Sequence, residues 1–496
     1  MRETMLRERI RRRLADETGR LTKEAPFTVG LCYPSPYRVG MSSLGYQRIY
    51  RSIMEAPGLA CERAFLDDEC EADPARIPER PVTYESMRPI EDLSVLAFSV
   101  AYELEVAGVV RMLQAANIPA RRRDRDGRHP LVIAGGPLTF SNPATLSGIV
   151  DAIVVGEADV RVVEVMRAAH ASSSRAAQLD ALALIPHVFV PTHHATLPPV
   201  GAEDDAVLPA HSAIRTPHTE LSNMFLVETE RGCSRGCTYC VMRRSTNGGM
   251  RIVPADVVLA TIPNDVRRVG LVGAAVSDHP QIVTILHALA DRGCEVGLSS
   301  LRPDRLATCE GFVPALARVG YRTLTTAMDG TSERVRERLE RRARPKHLLE
   351  CAQLAKKSGL DRLKLYLMIG TPGETDADVD ECARFVTELS RVLPVALGIA
   401  PFCAKRNTPL DGEPFAGIAV VEHRLSRLRR GLRGRADVRA TSARWAWVEY
   451  VLAQGGETEG LRVIDAVDRG GSFHAYEKAF AGIEKAARRA LPLAVG

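Results

Sequence analysis

Short apolar runs alternating with helix-period segments constrain this chain more than any other feature. In the first half such runs stand at 27–32, 95–100, 130–134 and 152–155, with helices expected at about 42–56, up to Leu113, and at 162–166. Strands that are apolar throughout need cover on both faces, which predicts a parallel sheet between helices. Gly135, Gly136 and Gly156 close these strands where α/β sheets open ligand crevices. Tight turns alone also ask for glycine there. A second series follows at 224–227, 269–272, 295–298, 321–324, 363–368 and 395–400. Six strand–helix units in a row predict a partial (β/α)6 TIM-type barrel, whose chemistry belongs at the carboxyl ends of its strands.

Around these two series the chain divides further. Residues 1–25 read as an N-terminal helix with Leu6, Ile10 and Leu14 on one face, and 26–200 as a Rossmann-like domain. Residues 201–222, with Pro209, Pro217 and the acidic run Glu203-Asp204-Asp205, read as a linker or strap. The barrel takes 223–410 and a helical region 411–496. In that last region Arg424, Arg427, Arg429, Arg430, Arg433 and Arg435 form a basic run. It reads as a solvated helix face. Contact with nucleic-acid phosphates is the other reading, disfavoured because few aromatics flank the run and no nucleic-acid motif accompanies it.

The composition permits a large core, at 45% hydrophobic residues. A net charge of +5, from 66 basic and 61 acidic residues, demands no polyanionic partner. No stretch of 18 uninterrupted apolar residues suggests a membrane span, so no membrane partner is expected. The arginine-rich start is mixed with Glu3, Glu8, Asp16 and Glu17, unlike a transit peptide, and has no apolar signal core. Eleven scattered cysteines, an odd number, then predict a reduced, cytoplasmic protein.

Three of those cysteines are not scattered. Cys233, Cys237 and Cys240 stand in the run Glu230-Arg231-Gly232-Cys233-Ser234-Arg235-Gly236-Cys237-Thr238-Tyr239-Cys240, directly after the first barrel strand. Three thiolates on one tight loop suit three irons of a [4Fe–4S] cluster and leave the fourth iron open to another ligand. A structural zinc site is the alternative. Zinc closes a tetrahedron with four donors, and the nearest histidines in sequence are His218 and His279.

The C-x3-C-x2-C triplet, with Tyr239 before its last cysteine, resembles the radical S-adenosylmethionine (radical SAM) superfamily. The resemblance implies an enzyme in which SAM chelates the open iron and is cleaved reductively to methionine and a 5'-deoxyadenosyl radical. That radical takes a hydrogen atom from a substrate the sequence does not name. An electron donor such as flavodoxin or ferredoxin is implied as partner. The first domain resembles the cobalamin-binding-like domain fused before many such barrels, through Tyr33-Pro34, 40–45, 134–137, Asn142-Pro143 and Gly156-Glu157. The turn Pro34-Ser35-Pro36-Tyr37-Arg38 lacks the histidine loop that ligates cobalt, so cobalamin is an open expectation. A cobalamin-dependent radical methyltransferase is therefore one alternative, and a non-catalytic iron–sulfur scaffold or RNA-binding protein another. A methylthiotransferase would need three further cysteines, and Cys32, Cys61 and Cys70 lack that spacing.

The resemblance also assigns cofactor contacts at the strand ends. Tyr239 belongs to the cysteine loop. Ser277 and Asp278 are expected near the SAM amino group, although the family's Gly-Gly-Glu is missing. Ser300 and Arg302 close the third strand, and Arg302 is expected to clamp a carboxylate. Asp329 closes the fourth as a ribose or SAM contact, with Arg334 or Arg336 reaching the same carboxylate. Ile369, Gly370 and Glu374 form the turn expected to pair with adenine, Glu374 also being a candidate cap for the helix that follows. Cys403, after the sixth strand, is either a buried thiol or an active-site group.

Overall fold

The structure, a computed structural model, describes residues 2–72, 76, 78–246 and 248–482. These separate into two compact units. One takes the chain up to Asn223 together with the described residues from Val451 onward; the other runs Met224–Tyr450.

The first unit is built on a six-stranded sheet. Its strands are β1 (Phe27–Tyr33), β2 (Leu59–Phe65), β3 (Val95–Ser99), β4 (Leu131–Gly135), β5 (Ala152–Val154) and β6 (Val188–Phe189). They lie in the order β2-β1-β3-β4-β5-β6. All pairs are parallel except β5 with β6, which closes one edge antiparallel. The central strands are buried almost continuously, the pattern of a sheet covered on both faces.

Two of these strands are absent from the sequence reading. β2 hides because Arg63 stands in its middle. Arg63 is fully buried, with both terminal nitrogens on Glu17 at 2.8 Å and its Nε on Glu85 at 2.6 Å. β6 is simply short. Helix Leu44–Glu55 starts where expected, with Ser43 Oγ accepting from the Tyr46 amide. The N-terminal helix is Arg2–Ala15, shorter than the 1–25 expected, and buries Ile10. Residues 201–222 behave as a strap on this unit. Gly201 bridges Gly156, Thr18 and Arg215 exchange two backbone hydrogen bonds of 2.9 Å, and Ile214 is core. Asn142 donates to the carbonyls of Leu452, Ala453 and Gly455, tying in the C-terminal helices Glu457–Asp468 and Phe473–Ala479. The part of the expected helical region beyond residue 482 lies outside the described residues.

The second unit is the barrel. β7 (Phe225–Glu228), β10 (Arg268–Val272) and β11 (Glu295–Leu298) form a parallel sheet in the order β11-β10-β7. A two-stranded hairpin, β8 (Glu230–Arg231) and β9 (Arg251–Ile252), intervenes between β7 and β10. β12 (Thr323–Asp329), β13 (Arg362–Ile369), β14 (Val395–Pro401) and β15 (Ala436–Ala440) form a second parallel sheet in chain order. β15 is a seventh barrel strand inside the region expected to be helical; it pairs in register with β14 from Val395↔Ala436 onward. Between β11 and β12 the neighbours meet through Leu298 N donating to Tyr321 Oη at 2.7 Å and Thr326 Oγ1 donating to the Leu301 carbonyl at 2.8 Å.

The basic run falls mostly on helix Ile418–Leu432. Arg424 reaches Glu374, and Arg427 pairs with Asp380 at 2.7 Å, so two of its members are held by the neighbouring helix Asp376–Ser390 and the turn before it. No described helix is long and apolar enough to cross a membrane.

Candidate functional site

The cysteine loop hangs from the β8–β9 hairpin. Its neck is closed by Gly232, at φ +83°, whose missing side chain leaves room for the Gly249 carbonyl. A Cβ there would collide with backbone, so the tight return needs glycine. Cys233 and Cys237 are buried and Cys240 half-buried. All three line one cavity of about 420 Å³, whose wall, among the described residues, carries neither a fourth cysteine nor a histidine. Burial pushes the Cys233 thiol up, against hydrogen bonding from the Arg235 amide, and lifts Cys240 to about 11. Burial thus favours the neutral thiol at Cys233 and Cys240, and a bound cation would favour the thiolate. Among the described residues no three Cys, His, Asp or Glu side chains converge on a single ion as a mononuclear zinc would require. A cluster sets a different test, since it hands each thiolate its own iron. The donor set and the open cavity fit that group.

A charge network stands beside the loop. Arg235 forks onto Asp278 at 2.7 and 2.9 Å and reaches Asp304 at 3.2 Å. Arg302 pairs with Asp304 at 3.2 Å and donates to the Arg341 carbonyl. Burial alone would raise the Asp278 carboxyl. The hydrogen bonds and charge of Arg235, with Arg302 and Arg305 beyond it, outweigh that and hold it below the usual aspartate range. Arg235 and Arg302 both reach the cavity wall.

The expected contacts separate into those at the cavity and those elsewhere. Tyr239, Ser300 and Arg302 line it. Tyr239 donates to Asp329 at 2.8 Å, and Arg341 Nε meets the same carboxylate oxygen at 2.5 Å. Asp329 sits at φ +59° on a bulge of β12 and lines an adjoining cavity. Ser300 Oγ accepts from Val276 N at 2.8 Å, so it braces the β10 turn as well. Ser277 is fully buried, and its hydroxyl accepts from Arg302 N at 3.0 Å. Asp278 is not a free acceptor, because Arg235 occupies both its oxygens.

Ile369, Gly370 and Glu374 line neither cavity. The Ile369 carbonyl accepts from Phe402 N, and the Gly370 amide donates to Glu374 at 2.6 Å. Glu374 is buried between Thr331 Oγ1 at 2.5 Å and Arg424 at 3.0 Å, none of it on either cavity. The cap it was expected to provide belongs to Thr375, reciprocated by Asp378. Arg334 pairs with Asp378 and Arg336 turns to the Gly330 carbonyl, so neither reaches Asp329. Cys403 lies off both cavities and donates to the Ala446 carbonyl at 3.1 Å.

Four residues escaped the sequence reading: Arg235, Arg341, Tyr366 and Glu230. Glu230 is fully buried, and its Oε1 accepts from Ala275 N at 2.6 Å. Gly273 packs so closely on it that no side chain fits there. Burial raises its carboxyl to about 7. A glutamate does stand behind the β10 turn, supplied by β8 and not by the turn itself; the signal was the Glu three residues before Cys233.

In the first unit the carboxyl ends of the strands close on their own backbone. Gly108 abuts the Pro34 carbonyl, Gly136 the Val100 backbone, and Gly156 meets Gly201. The turn after β1 forms the short helix Tyr37–Gly40 and presents no imidazole. These residues supply no lower ligand for a corrin. Cys32, Cys61 and Cys70 are each buried in this unit.

The chain matches the family model described as the radical SAM superfamily over residues 227–386, and the one described as radical SAM proteins, N-terminal, over residues 45–191. It is 23% identical over 402 residues to the uncharacterized protein MJ0966 of Methanocaldococcus jannaschii, covering 78% of this chain and 80% of that protein. It is 26% identical over 211 residues to the ribosomal protein uS12 methylthiotransferase RimO of Desulfosudis oleivorans, covering 39% of this chain and 46% of that one. Among solved structures, the cobalamin-dependent S-adenosylmethionine radical enzyme OxsB with aqua-cobalamin bound is 12% identical, at a TM-score of 0.38. That match covers 82% of this chain and 52% of OxsB. The chain thus spans about half the length of both RimO and OxsB.

Proposed function

The chain belongs to the radical SAM superfamily and is an enzyme, and on that premise we propose that Cys233, Cys237 and Cys240 hold a [4Fe–4S] cluster with one iron left to S-adenosylmethionine. One observation carries the reading: three thiols of a single loop line one cavity whose wall, among the described residues, offers no further cysteine or histidine. When bound, such a cluster supplies the electron that cleaves SAM to methionine and a 5'-deoxyadenosyl radical.

The protein's own residues set the stage. Arg235 and Arg302 give the cavity a cationic edge where a carboxylate can be gripped, while Asp278 and Asp304 fix their direction. Ser299 and Ser300 pin the turn after β10 and keep their hydroxyls at the cavity, a place for the SAM amino group. The Tyr239–Asp329–Arg341 bridge fastens the cysteine loop to the fourth barrel strand of the chain, holding the thiols in one orientation. The substrate is a small molecule or a segment reaching the barrel interior. The electron comes from a small donor such as flavodoxin or ferredoxin.

Anaerobic reconstitution with iron and sulfide, followed by a SAM cleavage assay with dithionite, tests this. Absorbance near roughly 400 nm and 5'-deoxyadenosine are expected from the native chain. Cys237→Ala should lose both. Stoichiometric zinc in place of iron, or cleavage that survives the substitution, overturns the reading.

A further inference from the structure

Beside the cysteine cavity lies a second one of about 550 Å³, formed by the concave faces of β12 to β15. Its size comes from the sequence of β14. Ala396, Gly398 and Ala400 are the side chains that strand turns inward, and they leave the space empty. On β13 the alternation of a strand sends Leu363, Leu365, Leu367 and Ile369 outward to the helices, each buried. Arg362, Lys364, Tyr366 and Met368 then face the cavity. Tyr366 is 45% exposed and lies flat across Gly398, where a Cβ would stand 2.6 Å from the ring. It lines both cavities and forms the wall they share.

The charge in this cavity is unbalanced. Lys364 Nζ sits 4.8 Å from the centre of the Tyr366 ring, a cation–π contact. Among the described residues neither Lys364 nor Arg362 meets a carboxylate. Arg439 shares the Asp437 carboxylate at 3.2 Å, and Asp329 is already held by Arg341 and Tyr239. Two cations therefore line an open cavity without a carboxylate partner of their own, an arrangement that can receive an anion.

We propose that this cavity seats the substrate, and that the substrate is an elongated small molecule bearing a carboxylate or a phosphate. The anionic end meets Lys364, with Arg362 below it. The reacting end lies at Tyr366, facing the cysteine cavity; this last clause rests on the function proposed above, the anion site does not. At about 3.3 Å per strand residue, Lys364 stands roughly 7 Å and Arg362 roughly 13 Å from the level of Tyr366. That interval sets the span between the anionic group and the reacting carbon.

Isothermal calorimetry on the full chain, with and without reconstituted cluster, tests the site with three probes: glutarate, inorganic phosphate and the neutral glutaramide. One anion should bind saturably at one site, and glutaramide should not. Preference for glutarate identifies the carboxylate class, and preference for phosphate the phosphate class. Lys364→Met should weaken the bound anion at least tenfold, while Lys364→Arg retains it within about threefold and so separates lost charge from lost packing. Equal affinity in the Met variant, equal binding of glutaramide, or no saturable binding of either anion overturns the proposal. Anion binding by a reconstituted chain that does not cleave SAM would refute the cluster reading and leave this one standing.

Discussion

Asp329→Asn is the sharpest test of how the cysteine loop is held. The substitution keeps the side-chain shape, and asparagine tolerates the φ of +59° that this position requires. What changes is charge alone. The Asp329 carboxylate accepts a hydrogen bond from Tyr239 Oη at 2.8 Å and forms an ion pair with Arg341 Nε at 2.5 Å, at a site where Arg341 is buried. Hydrogen bonds to a charged group contribute about 1.5–3 kcal/mol, neutral ones about 1 kcal/mol. The amide oxygen still accepts from Tyr239, so that bond loses about 1 kcal/mol, and loss of the ion pair with Arg341 removes about 1 kcal/mol more, or about 2 kcal/mol in all. At about 1.4 kcal/mol per factor of ten, local opening becomes roughly 30-fold more frequent. Hydrogen exchange followed by mass spectrometry reads this directly in peptides covering 236–241 and 323–330. Peptides over β1, at 27–33 in the other unit, serve as the unchanged control. An acceleration below threefold in the first two peptides, or an equal one in the control, would refute the bridge as a fastener of the loop.

Other outcomes follow from buried charge. Glu230 titrates near 7 when folded against 4.5 in the open chain. Between those values the folded chain holds a proton that the unfolded chain has released, so stability falls as pH rises through the window. The cost above pH 7 is about 3 kcal/mol. Glu230→Gln should raise the thermal midpoint relative to the parent at pH 8 and not at pH 5; an equal change at both values defeats the assignment. Arg63→Met strands the buried carboxylates of Glu17 and Glu85 and should cost about 3–5 kcal/mol. Adding Glu17→Gln and Glu85→Gln should restore most of that loss in urea denaturation, and no restoration would mean that packing, not charge, was lost.

Much of the architecture was legible in the sequence because continuous apolar strands advertise themselves. The six runs read for the barrel fall on β7 and β10 to β14, and the cysteine loop falls after the first of them. β2 was illegible because Arg63 interrupts its apolar pattern, and the partners that neutralise it, Glu17 and Glu85, lie far off along the chain. β15 was illegible because Ala-Asp-Val-Arg-Ala follows a run of arginines and looks like its continuation. At the site, the triplet was legible from local spacing alone. The network of Arg235, Asp278, Arg302 and Asp304 was not, because it joins three strand ends that only the fold brings together. Glu374 misled for the opposite reason: a local cap was expected, but Thr375 takes that duty and releases Glu374 to a tertiary contact with Arg424.

The seam between β11 and β12 has a consequence for how the two barrel sheets stay together. Within each sheet the strands are stitched by backbone ladders. Across the seam Leu298 N donates to the Tyr321 hydroxyl, the Thr326 hydroxyl donates to the Leu301 carbonyl, and Val296 N donates to the Val319 carbonyl. The helices that link the two strands, Pro303–Thr308 and Phe312–Arg318, bury Leu306, Phe312, Val313 and Leu316. Apolar packing therefore does more than hydrogen bonding to hold these edges, and truncating Phe312 costs more than removing either hydroxyl.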